Sequence, residues 1–193
     1  MKVHLNNRDG KIELVASLDG SQEFNEEHLI RELTEVFWKN KTENANSKNF
    51  EVGSNKWRSS LVDCYERALA AINLFLYKNN VESKIGYFYF IKSKSFPNYV
   101  KIGHSQDVES RLSQYQTATP FRDFYIEKYL ICRYSRETEK LALNFFKDSI
   151  VSGEWIDSTD SHSDFNNFCK FLDECGQGNR FSNHNLQFLS HFV

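Results

Sequence analysis

Residues 86–120 read GYFYFIKSKSFPNYVKIGHSQDVESRLSQYQTATP, and two alternating runs in that stretch decide the local fold. From Gly86 to Ile91, Tyr87, Tyr89 and Ile91 fall on one side of a strand, with Phe88 and Phe90 on the other. SKSFPN makes the turn. A second strand runs from Tyr99 to Gly103, with Val100 and Ile102 on one face and Tyr99 and Lys101 on the other. Two phenylalanines and two aliphatics therefore form a core face, and the opposite face carries tyrosines and a lysine. Ser105 or Asp107 caps the helix that follows, and Asp107 and Glu109 suit its positive end. Arg111 and Tyr115, spaced i,i+4, project from one side of it. Gly103 is read as the residue that lets the chain turn from strand to helix and brings Arg111 over the tyrosine face.

Outward from this stretch, Phe124 to Cys132 alternates as a third strand. Ser135 is placed to cap a helix containing RETEKLALNFF (136–146), with Glu139 in its first two turns. GEW (153–155) reads as the start of a returning extended segment.

Upstream, residues 2–16 form a hairpin around NNRDG. Asn25 caps a helix with the apolar stripe Leu29, Ile30, Leu33, Val36 and Phe37. Lys39 to Lys56 is polar and reads as a long loop. Trp57 opens a second helix of about six turns. Downstream, Phe165, Phe168, Cys169 and Leu172 give a last helix, closed by Gly176. The chain is thus read as an N-terminal hairpin and helical extension (1–83), a central α/β domain (84–156) and a C-terminal helical extension (157–193).

The 193 residues carry a net charge of −2, which argues against a generic nucleic-acid coating protein. The positive balance sits on 84–155, where Lys and Arg outnumber Asp and Glu by three. That suits a local phosphate site more than a broad basic groove. No apolar run is long enough for a membrane span, and MKVHLNNRDG is not a signal sequence. The four cysteines lack CxxC spacing and read as reduced thiols in a cytoplasmic protein. No Cys/His pair has zinc-site spacing.

In the motif-bearing stretch the chain resembles the GIY-YIG endonuclease superfamily, in the phage-type branch whose second motif reads KIG. Phe88-Tyr89 stands for the "IY" of the first motif, with Tyr87 where its glycine would be. Lys101-Ile102-Gly103 stands for the second motif. Arg111, eight residues after Gly103, matches the family's arginine, and Tyr115 a recurrent Tyr/His position. Glu139 matches the metal-binding glutamate, and GEW the close of the domain. The resemblance covers about 70 residues and implies a metal-dependent endonuclease acting on DNA.

Each residue then acquires an expected role. Arg111 would hold a phosphate oxygen in a guanidinium fork. Glu139 would bind Mg²⁺ or Mn²⁺, since Mg²⁺ accepts one or two carboxylates and keeps several waters. Glu154 competes for that role. Tyr89 would act as general base, which requires Lys101, Arg111 or the metal to lower its pKa. Lys101 replaces the second motif's tyrosine, so the base is open among Tyr89, Tyr99 and Lys101. His104 would relay a proton, and Tyr115 would assist on the Arg111 face.

The expected architecture is a small three-stranded, mainly antiparallel sheet flanked by helices, with helical extensions at both ends. The N-terminal helices are the expected surface for a homodimer or protein partner. Two rival functions remain: an inactive module of the same fold that binds DNA or protein, and a regulatory protein of phage or defence origin.

Overall fold

Strands β3 (Gly86–Ser93) and β4 (Phe96–Ser105) form the hairpin on which the rest of the molecule is assembled. They pair antiparallel, with Phe90 across from Ile102 and Tyr89 across from Gly103. The computed structural model describes residues 2–8, 11–17, 26–44 and 54–175. Strand β5 (Phe124–Cys132) lies on the other side of β3, also antiparallel, with the bounds its alternation predicts.

The sheet is larger than the expected three strands. Two short strands, β6 (Ile150–Ser152) and β7 (Trp155–Asp157), extend it to the order β5-β3-β4-β7-β6. Each has three residues, too few to display an alternation. Gly153, at φ 55°, makes the turn between them. The "returning segment" at GEW is thus a strand partner of β4, with Lys101 across from Trp155.

Period-2 alternation sorts the sheet's two faces as expected. Phe88, Phe90, Val100 and Ile102 are fully buried against α4 (Ser135–Phe145) and α5 (Ser161–Glu174). Ring centroids of Phe88 and Phe168 lie 5.1 Å apart, as do those of Phe90 and Phe165. Such apolar side chains each contribute about 1.5–3 kcal/mol on burial. Helix α5 therefore shares the central core.

The opposite face is covered as well. Helix α3 (Val108–Ala118) and Phe124 pack over Tyr89 and Ile91. Helices α1 (Glu26–Asn44) and α2 (Asn55–Lys78) close over Ile85 and Ile131. The tyrosine/lysine face is consequently an interior surface: Tyr89 is 1% exposed.

Local signals explain the helix starts. Ser54 accepts from Trp57 N at 3.2 Å, Asp107 from Ser110 N at 3.0 Å, and Asp160 from Ser163 N at 3.0 Å. Ser135 is not a cap. It is the first residue of α4, buried, and its N–H donates to Lys84 O at 3.1 Å. The expected loop from Lys39 is helical as far as Asn44, and α2 starts two residues before Trp57.

The N-terminal hairpin is present as β1 (Lys2–Arg8) and β2 (Lys11–Ser17), antiparallel and separate from the main sheet. The caps expected at Asn25 and Gly176 lie outside the described residues. Among the described residues no helix is long and apolar enough to cross a membrane.

Candidate active site

Gly103 is required by packing, not by a turn. It lies within β4, two residues before the strand ends at Ser105. A Cβ there would lie 2.5 Å from Tyr89 Cζ and 2.7 Å from Cε2, and would overlap the hydroxyl. Gly103 is thus the space into which the Tyr89 ring fits.

The Tyr89 hydroxyl meets the Tyr115 hydroxyl at 3.1 Å. Burial and the Tyr115 hydrogen bond push the Tyr89 pKa well up. Arg111 acts in the lowering direction but is outweighed by desolvation, and Glu139 adds slightly to the rise. The direction is the reverse of what a tyrosine base at neutral pH requires. The phenol keeps its proton.

Lys101 also acquires partners that its position in the strand does not announce. Its Nζ lies 2.7 Å from Glu154 Oε2, with the lysine side chain 14% exposed. The ammonium stands 5.4 Å from the Tyr115 ring centroid and 5.6 Å from that of Trp155. Phe124 links the two rings, at 6.1 Å from Tyr115 and 6.2 Å from Trp155. Glu154, the alternative metal ligand of the sequence reading, is the counter-ion of Lys101. Trp155 and Phe124 were not expected at the site. The Trp155 signal lay in its chain neighbour Glu154, and Phe124 carried none beyond its place in a strand.

Arg111 sits one turn into α3, where its backbone N–H donates to Asp107 O at 3.2 Å. Its guanidinium donates to the neutral amide oxygen of Gln114 at 2.9 Å on the exposed side. Among the described residues it makes no ion pair, so its charge is available to an anion.

His104 faces the other side of the sheet, as its position across from Phe88 requires. There its Nδ1 meets Glu139 Oε2 of α4 at 2.6 Å. The glutamate side chain is 13% exposed and the histidine 34%. With the carboxylate accepting, Nδ1 is the donor in this bond, and Nε2 has no partner among the described residues. Among the described residues no strand is paired with the outer edge of β4 beyond Lys101; Ile102 N donates to Glu154 O at 2.9 Å as the last link.

The fold therefore brings the six expected residues to the same part of β3 and β4 in two groups. Tyr89, Lys101, Arg111 and Tyr115 lie on the α3 side, and His104 with Glu139 on the α4 side. Gly103 separates the two. Tyr99 stands apart at the strand's exposed start.

The donor set tests the implied cation. Among the described residues no group of three or more His, Cys, Asp or Glu is gathered to hold a metal. One nearly buried carboxylate beside an imidazole fits a hard cation that keeps its waters, such as Mg²⁺. It does not fit a structural zinc site.

The T5orf172 domain model matches residues 86–172, from β3 through most of α5. That domain is found in phage and homing-endonuclease-like proteins. The similarity spans all six residues above and points to a nuclease-like or DNA-binding role. No curated protein and no solved structure matches the chain.

Proposed function

We propose that this protein is a metal-dependent endonuclease of the GIY-YIG type that hydrolyses phosphodiester bonds in DNA. One observation carries the reading: Tyr89 lies against the KIG glycine with its hydroxyl bonded to Tyr115, Lys101 stands over the Tyr115 ring on that side of β4, and the His104–Glu139 pair stands on the other.

In this reading Arg111 grips a non-bridging oxygen of the scissile phosphate. Lys101, aligned between Tyr115 and Trp155, adds positive charge on the same side. Tyr115 donates a hydrogen bond to an oxygen of the phosphate, and Tyr89, buried beneath it, holds the Tyr115 hydroxyl in place. His104 Nε2 takes a proton from that water while Glu139 stabilises the imidazolium at Nδ1. The water oxygen bonds to phosphorus, the P–O ester bond breaks, and the leaving oxygen takes its proton from solvent. Mg²⁺ or Mn²⁺ held by Glu139 would supply Lewis-acid charge for the leaving oxygen.

Incubation with supercoiled plasmid and Mg²⁺ or Mn²⁺ tests this, beside Arg111→Ala and Glu139→Ala. Nicking by the wild type that is lost with EDTA and in both variants supports the reading. No cleavage with either ion, on any substrate, counts against it.

A second reading is favoured by the Lys101–Glu154 pair, which engages the lysine's charge within the protein. In it the same surface binds DNA without cutting. Binding in EDTA, unchanged by Glu139→Ala and never followed by cleavage, would establish that alternative. The α1–α2 hairpin is the candidate surface for a second copy or a protein partner, and light scattering of the pure protein reads that directly.

A further inference from the structure

At one end of the sheet, Asp123 ties the β3–β4 turn to the loop between α3 and β5. Its carboxylate accepts from Ser93 Oγ at 2.9 Å and from Ser95 N at 2.6 Å, and its carbonyl from Lys94 N at 3.4 Å. Partial desolvation pushes the Asp123 pKa up, but the hydrogen bonds from Ser95 and Ser93 outweigh it and hold the carboxyl below its ordinary range. Its negative charge is thus engaged within the turn.

Two large apolar side chains flank this clasp. Phe96 is 46% exposed and Phe121 is 65% exposed. Neither makes an aromatic contact among the described residues. Beside them stand the exposed cations Lys94 and Arg122, neither in an ion pair among the described residues. Arg122 holds φ 47°, the left-handed region that non-glycine residues rarely adopt.

The clasp adjoins the candidate site along the sheet, where Ser93 pairs with Phe124. Phe124, one residue after the clasp, packs on Tyr115 and Trp155, the rings that hold Lys101. Exposed aromatic rings interleaved with unpaired cations are the chemistry that holds unstacked bases and their phosphates. Side chains of this kind also wedge between base steps of a duplex.

We propose that this end of the sheet is a base-stacking platform: Phe96 and Phe121 receive unstacked bases while Lys94 and Arg122 hold the flanking phosphates. The preferred DNA is then one with unpaired or easily unstacked bases next to the bond held at Arg111. This rests on the DNA reading above.

The test is fluorescence anisotropy in EDTA with three labelled oligonucleotides: a single strand, a duplex with a short unpaired bulge, and the perfect duplex. Wild type is compared with Phe96→Ala, Phe121→Ala and Arg122→Ala, each first shown to melt like wild type. The expected result is wild-type preference for the single-stranded and bulged DNA. Each phenylalanine variant weakens binding to those two by about 5- to 100-fold, with the perfect duplex little changed. Arg122→Ala lowers the salt slope by about one. Wild-type binding without that preference, or a preference that survives both phenylalanine variants, overturns the platform and leaves the DNA reading standing. Failure of the wild type to bind any of the three overturns both. Self-association abolished by Phe121→Ala, with no DNA binding, would assign the rings to a contact between copies instead.

Discussion

Tyr89 and Gly103 face each other across the β3–β4 ladder, and the tyrosine ring fills the volume that any side chain at 103 would occupy. Gly103→Ala must therefore displace Tyr89, although alanine fits the backbone there. The expected cost is about 1–3 kcal/mol, the range for overpacking a closed interior. A urea titration followed by circular dichroism measures it. A change below about 0.5 kcal/mol, the level of ordinary surface substitutions, would show that the ring has room to move.

The His104–Glu139 bond leaves Nε2 without a partner among the described residues. His104→Asn is expected to lower the cleavage rate by about 10²–10⁴-fold while DNA affinity in EDTA stays the same. Single-turnover kinetics beside an anisotropy titration separates the two quantities. If affinity falls in step with rate, His104 is a binding residue and water is activated elsewhere.

Lys101 is held by Glu154 and shielded by two rings. Glu154→Gln frees that charge for phosphate. DNA binding should tighten, and the salt slope should steepen by about one contact. Because Glu154 is half-exposed, its loss should cost no more than about 1 kcal/mol of stability. An unchanged slope would mean that Lys101 does not reach the nucleic acid.

Burial raises the Cys132 thiol from 9.0 to about 12, and the Tyr65 phenol from 10.0 to about 12. Between the unfolded and folded values, the unfolded chain has released these protons and the native protein still holds them. Unfolding then releases protons, so raising the pH favours it. Stability should be level up to about pH 9 and fall progressively toward pH 12. Urea midpoints at intervals from pH 8 to 11.5 check this. A midpoint that is flat to pH 11.5 would contradict the burial of both groups.

The same burial sorts the thiols. Cys175 is exposed, and Cys64 and Cys132 are buried. Alkylation of the native protein should label Cys175 promptly, and Cys64 and Cys132 only on unfolding, as mass spectrometry of the digested protein would show.

Much of this molecule is legible in its amino-acid order. The alternation of Phe88, Tyr89, Phe90 and Ile91 assigns two faces to β3, because successive side chains must point to opposite sides. The spacing of Arg111 and Tyr115 puts them on one side of α3, and Asp107 marks its start. These properties depend on neighbours a few residues apart, where backbone geometry alone decides the outcome.

Other features have no local signature. Strands of three residues show no period, so β6 and β7 emerge only as partners for β4. Nothing near Tyr89 indicates that α3 seals it from water, which turns an expected base into a protonated phenol. The Lys101–Glu154 and His104–Glu139 contacts join residues 53 and 35 positions apart. Sequence determined which residue types stand on which face of each element. Only tertiary packing decided which charges meet and which hydroxyls are dry, because burial and pairing belong to surfaces brought together by the whole chain.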